Sequence, residues 1–170
     1  MATYLERLIE YDTWANQGLL GFLGEQPPET LDLTAGGVYG TIRETLEHLF
    51  SSEIGYSRRL TPPPAPGVPD RPEHPDLATL QALATESASR LVDLVDTLPD
   101  PATKIETNTG MRAAATILTQ LVMHGVEHRA HVGTILGANG IEPPDLDSWA
   151  HGIWFHGDDW PHDWGPDRRG

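Results

Sequence analysis

Apolar side chains recur every three or four residues in four long stretches of the chain, and each stretch predicts an amphipathic helix. The first opens at Thr3, which has Glu6 three residues later in the spacing of a capping box. The second opens near Gly40 or Thr41, where Glu44 repeats that spacing. The pattern therefore predicts helices over about residues 3–24, 41–60, 77–98 and 113–138, with Asn139-Gly140 ending the last one.

The connections between these helices differ in kind. Residues 61–76 contain so many prolines that they form neither helix nor central strand, and the segment is long enough to cross from one end of a helical bundle to the other. Residues 99–112 are expected to form a loop with a short strand at 104–107, and residues 146–154 a short helix. We expect one domain over residues 1–155 and a flexible C-terminal tail over 156–170, whose His and Asp residues offer a second metal site as the alternative.

Charge and composition narrow the classes of partner. The chain of 170 residues has 25 acidic and 11 basic residues, a formal net charge of −14, and no cluster of Lys or Arg. Nucleic acid and an anionic membrane surface are therefore not expected as partners. The absence of cysteine, of an apolar run of membrane-spanning length and of a signal-peptide pattern predicts a cytoplasmic protein.

Three histidines interrupt the apolar face of the last long helix. His124, His128 and His131 share that face with Ile117, Leu121 and Ile135. Neutral imidazole is a common ligand of divalent metals, and two histidines four residues apart on a helix can bind one ion. The alternative is that they are core histidines satisfied by hydrogen bonds.

The third ligand is expected from another helix. His124 and His131 are separated by about 10 Å along the helix axis, which is too far for one ion to suit both easily. His48 lies at the edge of the apolar stripe of the second helix, in a line of small side chains: Thr41, Thr45, Ser52 and Gly55. We predict a metal site of His48, His124 and His128 at one end of the bundle, with His131 as a residue of the surrounding pocket.

Four further residues each have two possible interpretations: Glu127, Arg129, Glu53 and Trp14. Glu127 completes an H-x-x-E-H pattern, in which a glutamate acts as general base to a metal-bound water, or it is a solvated acid on the helix surface. Arg129 is expected on the surface or in a salt bridge, with a substrate carboxylate as the alternative. Glu53 is expected near His48 or paired with Arg129, and Trp14 in the core rather than against a substrate.

Several motifs resemble those of the DinB/YfiT-like superfamily of metal-dependent proteins. They are Tyr11-Asp-Thr-Trp-Ala-Asn16, Leu46-Glu-His48 with Glu53 five residues on, His124-x-x-x-His128-Arg129, and Pro143-Pro144 with Leu146-Asp147. The resemblance covers nearly the whole length. This sequence differs from the family pattern at Ala130 and His131, where Gly-Gln is common. The imidazole of His131 could therefore act as an additional metal ligand or as a proton carrier.

The resemblance implies an all-α fold, a four-helix bundle of up-down-down-up topology with the proline-rich segment as the long crossover between helices 2 and 3. It also implies Zn or Ni on His48, His124 and His128, a low-molecular-weight thiol as co-substrate, and a homodimer. We therefore expect a metal-dependent enzyme of the thiol S-transferase or isomerase type, in which the ion activates a thiol or water towards a small electrophilic substrate.

Glu127 and His131 are the candidate catalytic residues. Two alternatives stay open. One is a metal-dependent hydrolase with Glu127 as base. The other is a non-catalytic metal or small-ligand binding protein, whose site is closed by His131 as a fourth ligand.

Overall fold

A computed structural model describes residues 2–63 and 73–158 of the chain. These residues form five α-helices and one two-stranded sheet. The helices are α1 (Tyr4–Gly24), α2 (Ile42–Leu60), α3 (Leu77–Val95), α4 (Ala114–Ala138) and α5 (Ser148–His156). The strands are β1 (Lys104–Thr107) and β2 (Gly110–Ala113), and a 3-10 turn covers Pro28–Asp32. The expected helical class is confirmed, with the hairpin added to it.

Side-chain caps fix the helix starts. Thr3 and Thr41 both form complete capping boxes, with Glu6 and Glu44 respectively. At the other end of α4, Gly140 takes a φ of 76° and ends the helix, as Asn139-Gly140 predicts. These caps satisfy backbone groups that the helix itself leaves unpaired. The predicted bounds of α1, α2 and α4 agree with the structure within one or two residues, although the start of α4 at Ala113 has no side-chain cap.

The four long helices pack against one another in pairs. Helix α2 contacts α3 and α4, and α1 also contacts α3 and α4. Two separate apolar clusters fill the space between them. One includes Leu19, Phe50, Leu80 and Val132, and the other includes Ile9, Leu60, Leu91 and Leu121.

A layer of buried polar side chains lies between these two clusters along every long helix. Its members are Asp12 and Asn16 of α1, Glu53 of α2, Ser87 of α3, and His124, His128 and Arg129 of α4. The candidate metal ligands of α4 therefore lie between the two halves of the core. The expected position at one end of the bundle is wrong, because apolar residues close the core on both sides of the histidines.

The segment 99–112 contains more structure than a loop with one strand. The strand at 104–107 is confirmed, but it pairs antiparallel with a second strand, with Ile105 opposite Arg112. The second strand was not predicted because its residues are mostly exposed and lack apolar alternation. Helix α3 ends at Val95 rather than at Leu98.

No helix among the described residues is both long and apolar enough to cross a membrane. Residues 64–72 of the predicted crossover and residues 159–170 of the predicted tail lie outside the described residues. The short helix α5 extends through His156, so it includes the first residue of that expected tail.

Candidate metal centre

Three histidine side chains from two helices converge on one point. The Nε2 atom of His124 lies 3.1 Å from Nε2 of His48 and 3.0 Å from Nε2 of His128. Each of the three rings offers one nitrogen, and these nitrogens all lie within 4.8 Å of one another. Among the described residues, no other group of three or more His, Asp or Glu side chains converges in this way.

Local structure explains the convergence. His124 and His128 are four residues apart on α4, so their side chains lie one above the other on the face that contacts α2. His48 comes from α2, and its neighbours on that face of the helix, Thr45 and Ser52, are small and buried. The two α4 rings are buried and His48 is half-buried, so the cluster reaches the surface on the His48 side.

The distances fit a shared cation better than hydrogen bonds. A ring nitrogen carries either one proton or one lone pair, so Nε2 of His124 can make one good hydrogen bond in its plane and not two. An ion at the usual zinc–nitrogen distance of about 2.0–2.1 Å would hold tetrahedral ligands roughly 3.3 Å apart. The two separations of 3.0 and 3.1 Å need only a small adjustment to reach that value, and the third, between His48 and His128, is within 4.8 Å.

The electrostatic environment favours the metal-binding form of the ligands. Burial, followed by the nearby His48 and His131, lowers the pKa of His128 to about 4. At neutral pH its imidazole is therefore uncharged, and a lone pair is available. A divalent metal requires this form of histidine.

Two tyrosines frame the cluster. The ring of Tyr39 stacks on His48 with centroids 4.3 Å apart and an angle of 17° between the planes, and it meets His128 edge-on. The ring of Tyr56 meets His124 at 5.8 Å, nearly perpendicular. Both tyrosines pack against histidine rings of the cluster, and Tyr39 covers His48, the half-buried one of the three.

Tyr39 was missed in the sequence because it lies outside every periodic stretch. It belongs to the loop before α2, where Gly37 and Gly40 take positive φ values of 81° and 157°. A backbone bridge between Thr34 and Thr41 closes this loop. The available signal was an aromatic residue in a short segment between two glycines, Gly37 and Gly40, the second of which directly precedes the helix cap Thr41.

The two candidate catalytic residues, His131 and Glu127, lie at different distances from the three converging histidines. The ring of His131 lies 5.4 Å from that of His128, beside the convergence point but outside the group of three nitrogens. Its Nδ1 atom is buried and has no hydrogen-bond partner among the described residues. Glu127 is exposed on the surface of α4 and is not one of the converging side chains.

Behind the histidines lies a buried ion pair that anchors α4 to α1. Arg129 donates from Nη1 to Oδ1 of Asp12 at 2.6 Å and to Oδ1 of Asn16 at 2.8 Å. Its guanidinium also lies over the ring of Tyr11, 5.5 Å from the centroid. The salt-bridge interpretation of Arg129 is confirmed, and the surface interpretation is wrong, since the residue is buried.

Glu53 extends this network to α2 and α3. It is fully buried and accepts hydrogen bonds from Ser87 at 2.5 Å and from Asn16 at 3.4 Å. Burial, then the charge of Asp12, raise the pKa of Glu53 well above its ordinary value. Burial disfavours the charged carboxylate, and the single guanidinium of Arg129 cannot neutralise both Asp12 and Glu53, so the neutral form of Glu53 is favoured.

Trp14 of α1 and His151 of α5 belong to a different part of the molecule. Trp14 is half-buried, and its ring contacts His151 with centroids 5.2 Å apart. His151 also meets Tyr11 and Phe155, which places it between α1 and α5. Trp14 therefore packs at this junction and not in either apolar cluster. Of the second metal site considered for the tail, Asp159, His162 and Asp163 lie outside the described residues.

Comparison with known proteins adds one match. The sequence model described as the DinB family matches residues 1–154. A search of the curated proteins finds no match to the chain.

Proposed function

The chain belongs to the DinB family, and we propose that it is an enzyme that binds a divalent metal ion through His48, His124 and His128. In this proposal the ion activates a thiol or a water molecule for transfer to a small electrophilic substrate. The observation that carries the proposal is the approach of three imidazole nitrogens from two helices, at 3.0 and 3.1 Å between neighbours. One ring nitrogen cannot make good hydrogen bonds to both neighbours at these distances, whereas one shared cation can bind all three.

The donor set restricts the metal. Three imidazoles with no thiolate suit Zn and Ni, whereas Mg and Ca prefer oxygen ligands. The cluster contains three nitrogens among the described residues, so a four-coordinate ion would keep one position for substrate or water. A non-catalytic, closed site would need His131 as the fourth ligand, and its ring is not part of the converging group.

A metal ion in this position would lower the pKa of a bound thiol or water and so make it a nucleophile at neutral pH. The protein's own residues prepare the site. Burial keeps His128 neutral, and Tyr39 fixes the ring of His48 by stacking. The Arg129–Asp12 pair ties the ligand-bearing helix to α1.

We assign His131 the role of carrying a proton away from the nucleophile. Its ring lies beside His128, and its buried Nδ1 has no hydrogen-bond partner among the described residues. Glu127 has an exposed side chain outside the cluster, so a hydrolase with Glu127 as base has less support than thiol transfer.

The helical arrangement that we propose is the up-down-down-up bundle of the family. The contacts of α1 with α3 and α4, and of α2 with the same two helices, support it. In that arrangement the segment between α2 and α3 crosses the length of the bundle.

Metal analysis combined with a transfer assay tests the proposal. The purified protein is expected to retain about one Zn or Ni per chain, His128→Ala to lose it, and His156→Ala, on the exposed end of α5, to retain it. A screen of low-molecular-weight thiols against monochlorobimane should then show conjugation that depends on both the metal and His128. Equal metal content in wild type and His128→Ala would overturn the metal site. Metal retention without turnover of any thiol or hydrolytic substrate would leave a binding protein instead of an enzyme.

A further inference from the structure

A cavity of about 380 Å³ adjoins the candidate metal centre. It lies between the C-terminal half of α2, the turn of the β1–β2 hairpin and the N-terminal half of α4. Tyr56 lines the cavity, and the same ring meets His124 at 5.8 Å. The cavity and the metal centre therefore share one side chain as a common wall.

The lining of the cavity is cationic and rich in hydrogen-bonding groups. Arg59 of α2 and Arg112 of β2 both line it. The other polar lining residues are Thr107, Asn108, Thr109, Thr116 and Gln120. In a chain with a net charge of −14, a cavity lined by two arginines and no carboxylate is a local exception.

The positive charge of these two arginines is not neutralised by a carboxylate within the described part of the chain. Arg59 donates from Nη1 to the carbonyl oxygen of Gly55 at 3.0 Å. Arg112 donates to the carbonyl oxygens of Met111 at 3.1 Å and Thr109 at 2.9 Å. Backbone carbonyls orient a guanidinium but leave its charge uncompensated.

Other arginines of the structure show the contrast. Four of them have a carboxylate within ion-pair distance: Arg7, Arg43, Arg90 and Arg129. Arg58 has no such ion pair among the described residues, but it does not line the cavity. Arg59 and Arg112 instead keep donors and charge for a ligand. A guanidinium is well suited to bind a carboxylate or phosphate through two parallel hydrogen bonds.

The hydrogen bond to Gly55 also sets the distance from the metal centre. It turns the side chain of Arg59 back along α2, towards the turn that contains Gly55. Gly55 is seven residues from His48, which corresponds to about 10 Å along the helix axis. A ligand that reached both places would be elongated, with its two functional ends about that far apart.

We propose that this cavity binds the anionic end of the substrate, a carboxylate or phosphate group, through Arg59 and Arg112, while the reactive end lies at the metal centre. The position of the reactive end rests on the proposed function. The oxyanion site itself rests on the cavity and its two arginines.

Matched probes test the two ends separately. Binding of 8-mercaptooctanoate and 8-mercaptooctan-1-ol to the zinc-loaded protein is measured by calorimetry, since the two compounds differ only in the terminal group. We expect the acid to bind about tenfold tighter, in line with a charge-assisted hydrogen bond. In Arg59→Gln/Arg112→Gln the preference should fall to about twofold or less. The preference for the acid should persist in Arg58→Gln, which removes a neighbouring charge that does not line the cavity.

Octanoate and octyl phosphate, which lack a thiol, report on the oxyanion site alone. Either one should bind the wild type more tightly than octan-1-ol does, and the double variant should lose that preference. On cobalt-substituted protein, a thiolate-to-metal absorption band reports separately whether the thiol reaches the ion.

Retention of the oxyanion preference without that band would leave the cavity site standing and overturn thiol activation. The band with equal affinity for acid and alcohol would overturn the oxyanion site and leave the proposed function intact. If Arg58→Gln and the double variant lose the preference for the acid equally, the oxyanion site is also overturned, because the effect would then be one of overall charge.

Discussion

A Cβ atom at Gly125 would lie 2.6 Å from Oδ1 of Asp12, although the two residues belong to different helices. It would also lie 3.2 Å from Nη1 of Arg129, the cation that pairs with Asp12. Only a glycine therefore lets the backbone of α4 come this close to the buried ion pair. Because Gly125 directly follows His124, the same close approach sets the position of the metal-binding face of α4.

Gly125→Ala is expected to lower the free energy of unfolding by about 1–3 kcal/mol, as overpacking of a filled interior does. This figure is the net effect: the cost of overpacking should exceed the gain of about 1 kcal/mol that alanine brings to a helix interior. Metal affinity should fall as well, because α4 must shift relative to α1. Chemical denaturation measures the first effect, and competition with a chelator measures the second.

The matched control is Gly137→Ala on the same helix, where a Cβ atom would meet nothing within 4 Å. It should leave stability unchanged or raise it by up to about 1 kcal/mol, with unaltered metal affinity. If the two alanine variants behave alike, the close approach at Gly125 does not set the position of α4.

Glu53 is expected to make stability depend on pH. Its pKa is raised in the folded state, first by burial and then by Asp12, above the 4.5 of an ordinary glutamate. Between 4.5 and the raised value, the folded chain keeps a proton that the unfolded chain has released, so stability falls as pH rises. The slope is at most about 1.4 kcal/mol per pH unit for one proton.

Glu53→Gln should remove this slope, because an amide cannot ionise and still accepts the hydrogen bond from Ser87. Relative to wild type, the variant should gain stability from pH 5 to pH 8, as measured by urea denaturation of the metal-free proteins. Comparing the two proteins at each pH cancels the shared titration of the histidines. Glu86→Gln, which removes an exposed carboxylate next to Ser87, should show no such gain. A constant difference between wild type and Glu53→Gln across the range would mean that Glu53 is ionised throughout.

Much of this fold could be predicted from the sequence, for reasons that are local. Capping boxes at Thr3 and Thr41 depend on side chains three residues apart, and they mark two helix starts correctly. The spacing of His124 and His128 requires them to share a face of any helix that contains them. These features are determined within one or two helical turns and do not depend on the rest of the molecule.

The polar layer could not be predicted in the same way. Ser87 takes the position midway between Leu80 and Leu94 on the buried face of α3, yet its partner Glu53 is 34 residues away on α2. Which polar side chains meet depends on the rotation and height of four helices relative to one another. One sequence therefore shows that Glu53 and Arg129 need partners, but it does not show that Ser87, Asn16 and Asp12 are those partners.

The stack of Tyr39 on His48 leads to the last prediction. The two rings lie 4.3 Å apart, and Tyr39 comes from a loop that is closed by a bridge between Thr34 and Thr41. An aromatic pair contributes about 0.5–1.5 kcal/mol beyond its buried area. Because His48 is the half-buried ligand, its ring has the most freedom to lose when the metal binds, and a neighbour that fixes it beforehand strengthens binding.

Tyr39→Leu should therefore weaken zinc binding about three- to tenfold in a chelator competition, while Tyr39→Phe, which keeps the ring, should bind zinc like wild type. Tyr4→Leu is the control, since Tyr4 is 93% exposed at the start of α1. If Tyr39→Phe loses as much affinity as Tyr39→Leu, the hydroxyl group and not the stacked ring supports the site. If neither variant loses affinity, the ring of His48 is fixed by α2 and α4 alone, and the loop serves only to cover it.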